Sequence, residues 1–168
     1  RSYARICSQA LVRLVSAEVL YNAIATATGT NHEYSSTYVP PGTRAIGLAP
    51  SQRVGRPGPE YALEIFGRPK REQTCACERS GDASLAQALY LLNDAEIQQR
   101  LVHPRGRVAR LTQSESDDAR AVEEIYLATL SRLPTPAERK AVLDHLAQAA
   151  TREAGLQDVM WSLLNVRE

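Results

Sequence analysis

Cys75 and Cys77 stand one residue apart in the stretch FGRPKREQTCACERSGD (66–82), ringed by Arg68, Lys70, Arg71, Glu72, Glu78 and Arg79. A Cys-x-Cys pair can bind metal, close a strained local disulfide, act as a thiolate, or sit as two buried thiols. Structural zinc takes four ligands, usually from two pairs spaced near C-x2-C. Cys7, His32, His103 and His145 are the remaining candidates, and none has a matching spacing. On an extended backbone the two thiols share one face. The balance favours a structural role, since free cysteine behaves as a small buried hydrophobe. Arg79 nearby lowers the cost of a thiolate, so a redox or metal site at Cys75 and Cys77 is the alternative.

Other chemistries have weaker marks. Covalent haem attachment needs C-x-x-C-H, which is absent, so any haem belongs to another domain and no cofactor is assigned to this chain. There is no G-x-S-x-G elbow, and the glycines between Arg53 and Gly58 lack the G-K-[ST] ending of a phosphate loop. His145 is read as a solvated residue on a polar helix side. Of the carboxylate pairs, Glu60 and Glu64 share a helix face whereas Glu123 and Glu124 do not; both read as ordinary surface charge. Trp161 is the only tryptophan and serves packing. No catalytic residue and no metal ligand is assigned. The polar candidates are Arg44, Arg68, Arg71, Glu78 and Arg79, read as a docking surface. Read instead as a cleft wall, Arg44, Arg68, Glu78 and Arg79 would complete the active site of a polysaccharide-degrading enzyme whose other wall lies elsewhere.

The elements that must position these residues are helical. Ser16 caps SAEVLYNAIATATG, which Gly29 ends, with Val19, Leu20, Ala23, Ile24 and Ala27 on one stripe. Tyr3, Ile6, Ala10, Leu11 and Leu14 have helix-compatible spacing. Residues 30–59 carry Pro40, Pro41, Gly42, Gly47, Pro50, Gly55, Pro57, Gly58 and Pro59, which forbid a long regular element. That predicts a wrapping arm held by Ile46 and Leu48. Short helices are expected over Glu60–Phe66, from Asp82 or Ser84 to Leu92 with Leu85, Ala88, Leu89 and Leu92 buried, after Asp94, and over Arg105–Leu111. Acids in SESDD open a helix with Val122, Ile125, Tyr126, Thr129 and Leu130 on one stripe. Thr135-Pro136-Ala137-Glu138 is a capping box for a helix to about Ala150. A last helix from about Leu156 to Asn165 buries Val159, Met160, Leu163 and Leu164.

These patterns predict an all-α fold, an irregular helical bundle with a long Pro/Gly-rich arm and little or no β structure. One domain over 1–168 is expected, with the arm at 30–59, the Cys/Arg-rich segment at 66–82 and the bundle at 83–168. The chain starts at Arg1 and its only methionine is Met160, so a C-terminal fragment of a larger protein is expected. Twenty basic against nineteen acidic side chains leave a net charge of +1, which argues against a nucleic-acid partner. No apolar run approaches the ~20 residues of a membrane span.

The ordered motifs PPGTRAI (40–46), FGRPKRE (66–72), CACER (75–79), SLAQALYLLN (84–93), GRVARL (106–111), EEIYLATLSRLPTPAE (123–138) and DVMWSLLNVRE (158–168) closely resemble the C-terminal domain of unknown function of large planctomycete proteins associated with cytochrome c domains. The resemblance runs from about residue 16 to the end. It implies an exported, periplasmic or extracellular, multidomain protein, often with a separate haem domain and sometimes sugar-associated modules, and with no established catalytic residues in this domain. Where members commonly read ALHLLN, this chain has Tyr90, which speaks against a histidine-dependent site there. The function expected is a non-catalytic accessory or interaction domain. Its partners are other domains of the same polypeptide, with a carbohydrate or redox partner as the further expectation.

Overall fold

The computed structural model describes residues 15–31, 34, 36–49, 57–68 and 85–166. Within them the chain is all-α, with no strand. The helices are α1 (Ala17–Thr28), α2 (Pro57–Ile65), α3 (Leu85–Asn93), α4 (Ala95–Leu101), α5 (Arg107–Ser114), α6 (Asp118–Leu130), α7 (Pro136–Gln148) and α8 (Arg152–Asn165), with one 3₁₀ turn at Ala45–Gly47. The helix expected over residues 1–14 lies outside the described residues, as do Cys7 and His32.

The caps follow from the local sequence. The Ser16 hydroxyl accepts from the Val19 N–H, and Gly29 closes α1 at φ 67°. Asp94 and Asp117 cap α4 and α6. In the box at α7, Thr135 Oγ1 accepts from the Glu138 N–H at 3.3 Å, and a Glu138 carboxylate oxygen accepts from the Thr135 N–H at 2.8 Å. Thr151 caps α8, which therefore begins at Arg152, about a turn earlier than its apolar pattern suggests.

Two arginines finish helices from a distance. Arg107 donates through Nε to the Ala27 carbonyl at 2.7 Å and through Nη2 to that of Thr26 at 3.1 Å, closing the C-terminal end of α1. Arg152 does the same for α5, reaching the Leu111 and Thr112 carbonyls, and also donates to Asp118 at 2.7 Å.

The core runs through α1, α6 and α8, with Tyr21, Ile24, Val122, Ile125, Tyr126, Leu156, Val159 and Met160 buried together. Leu63, Ile97, Leu101, Val108 and Leu111 extend it across α2, α4 and α5. Gly155 lets α7 and α8 approach closely: a Cβ there would lie 2.7 Å from Leu146 Cδ2 and 3.0 Å from Ala149 Cβ.

Three expected faces turn out differently. Within 36–49 the inward residues are Val39, Ala45 and Leu48, whereas Ile46 is exposed. Asn22 on α1, itself buried, accepts the Ala45 N–H at 2.9 Å. The chain turns as a 3₁₀ helix there, so positions 45 and 48 share the inner side and 46 points away. On α1 the buried side contains Ala17, Tyr21, Ala25 and Thr28 beside Ile24 and Ala27, leaving Val19 and Ala23 exposed and Leu20 half-buried.

The largest departure is α3, where Leu85, Ala88, Leu89 and Leu92 face out and Tyr90 is the buried residue. LAQALYLLN is apolar nearly all round, so periodicity alone leaves its rotation undetermined. The Tyr90 ring meets Phe66 edge-on at 5.5 Å, and its hydroxyl finds a carboxylate on α4; together these select the observed face.

Candidate functional site

Three helices converge on a polar cluster inside the apolar core. Glu96 and Arg100 lie one turn apart on α4, the spacing that pairs side chains on a helix, and Arg100 sits beside buried Ile97 and Leu101 rather than in solvent. Tyr21 comes from α1 and Tyr90 from α3. Tyr90 donates to Glu96 Oε2 at 3.0 Å, while the Tyr21 hydroxyl donates to Oε1. Arg100 Nη2 bridges Glu96 Oε1 at 2.8 Å and the Tyr21 hydroxyl at 2.9 Å. Its Nη1 donates to Thr30 Oγ1 at 2.7 Å, and Thr30 in turn pairs with Thr28 at 2.9 Å.

Arg100 is only 8 % exposed, so its charge is tolerable there because Glu96 opposes it and the Tyr21 ring lies 5.0 Å below the guanidinium. Burial would lower the Arg100 pKa, but Tyr21 and Glu96 together more than offset it and the pKa is raised. Burial also raises both phenols well above their ordinary range, against the pull of Arg100 on Tyr21 and with the reinforcement of Glu96 on each. Tyr34, in the connection after α1, is pushed up to about 12, chiefly by burial. The tyrosines therefore stay protonated donors across the physiological range. Glu96 already accepts from two phenols and a guanidinium, which makes the cluster a lock between α1, α3 and α4 rather than a poised acid or base.

The sequence candidates are dispersed. Arg44 is exposed at the start of the 3₁₀ turn. Arg68, just after α2, donates to the Ala49 carbonyl at 2.8 Å and lies 3.9 Å from Glu18, so it straps the α2 end to α1 and to the turn. Arg71, Cys75, Cys77, Glu78 and Arg79 lie outside the described residues. Glu123 pairs with Arg139, and Glu124 with Arg107 at 2.8 Å, so those acids are ion-pair partners. His145 is exposed with Nε2 3.2 Å from Asp158 Oδ2. Among the described residues no three His, Cys, Asp or Glu side chains gather as a metal site.

Tyr21, Glu96 and Arg100 were not among the sequence candidates. Their signal was present: an acid and a base four apart on a short helix, the base beside Ile97 and Leu101, with a tyrosine on the apolar side of α1. What periodicity does not show is that these helices meet.

Two surface features complete the picture. A shallow groove of about 430 Å³ at the α6–α7 connection is lined by Pro134, Pro136, Arg139, Lys140, Leu143 and Asp144. Its charges are already paired, Lys140 with Asp144 at 2.5 Å and Arg139 with Glu123. The other is the outer face of α3, where Leu85 is 75 %, Leu89 49 % and Leu92 37 % exposed, with Tyr61 of α2 alongside at 53 %. Tyr61 and Tyr90 ring centroids are 6.3 Å apart, which places Tyr61 at the α2–α3 seam.

No curated protein and no solved structure matches the chain. The family model for PSD1, a protein of unknown function (DUF1553), matches residues 3–146, and the chain belongs to that family.

Proposed function

We propose that this chain is a non-catalytic interaction domain of an exported, multidomain, cytochrome-associated protein, and that it docks other domains of the same polypeptide. The observation that carries this reading is the outward face of α3. A stripe of three leucines with Tyr61 beside it is an unusual surface for a lone domain, and contiguous exposed apolar side chains mark interaction sites. The mutual hydrogen bonding of Tyr21, Tyr90, Glu96 and Arg100 supports the same reading, since these groups bind one another. In this proposal Arg44, Arg71, Glu78 and Arg79 are candidate polar contacts to the neighbouring domains, Arg68 being held within the fold by Ala49 and Glu18, and any haem belongs to another domain.

The test is to express the chain and the remainder of its polypeptide separately and mix them. Co-elution on gel filtration is expected for the native chain. The Leu85→Asp/Leu89→Asp pair should abolish it while the helical circular dichroism is unchanged. Co-elution untouched by the double substitution, or polymer turnover by the isolated chain, would sink the proposal.

A further inference from the structure

We draw no further inference here: the strongest candidate, the outward leucine face of α3 beside Tyr61 of α2, is the docking surface already proposed, and nothing in the structure shows what covers it.

Discussion

Glu96 receives three donors from two other helices and its own, and a group used that heavily leaves a specific deficit when removed. Glu96→Ala would strand the Arg100 guanidinium in the core without an opposing charge, which costs about 3–5 kcal/mol at sites of this kind. Tyr21→Phe deletes one hydroxyl that both donates to Glu96 and accepts from Arg100, and should cost less, about 1–3 kcal/mol. Urea unfolding of the two variants should give that order, and equal losses would show that the carboxylate is not the hub. The tyrosines make a second prediction. Their folded pKa values are raised above the ordinary 10, so the stability they contribute is fully present below pH 10 and is lost as pH rises above it, through about 12 for Tyr34. Alkaline titration should therefore show phenolate absorbance from the buried tyrosines appearing with loss of helical circular dichroism. Titration of all seven tyrosines near their ordinary pKa in a still-folded chain would contradict the cluster. Little of this site was legible in the sequence. Attention goes to Cys75, Cys77 and the arginines around them because their density is local, whereas Tyr21 and Glu96 are 75 residues apart and look ordinary until the helices cross.

At the scale of elements, legibility tracks how much of the determining chemistry is local. The caps at Ser16, Asp94 and Thr135 are decided by neighbours within four residues, and the helices begin where those residues indicate. Helix rotation is decided by partners. In α6, polar and apolar sides are distinct, and Val122, Ile125 and Tyr126 are buried as the spacing predicts. In α3 they are not distinct, and the outcome depends on Glu96 and Phe66. The α7 cap is also acid-sensitive. Hydrogen bonds from Arg132, then from Thr135, hold the Glu138 carboxyl at about 2, below its ordinary 4.5, so the stability it contributes is present above pH 4.5 and is lost as pH falls toward 2. Thr135→Ala should cost about 1 kcal/mol and weaken that acid dependence, read from thermal melts between pH 6 and pH 2.5. Melts whose acid dependence is the same in both proteins would remove the capping box from the account. Gly155 fixes the α7–α8 spacing. Gly155→Val should destabilise by about 1–3 kcal/mol, because its Cβ would meet Leu146 Cδ2 at 2.7 Å and Ala149 Cβ at 3.0 Å. A neutral result would mean that the two helices separate freely.

For the whole molecule, the contrast is between a core that is fully used and an outer helix that is not. α1, α6 and α8 bury their large side chains against each other, while α3 is anchored by Tyr90 and shows its leucines to solvent. Helices with few buried apolar contacts open at lower free energy than the core does. An interaction domain whose α3 completes its packing on a neighbour should therefore change most at α3 when that neighbour is present. Hydrogen exchange, compared between the isolated chain and the full-length polypeptide, measures this directly. Amides of residues 85–93 should exchange faster than those of α6 and α8 in the isolated chain and gain at least tenfold protection in the full-length polypeptide, with α6 and α8 little altered. Equal protection of α3 in the two contexts would contradict the claim that this face is where the domain docks.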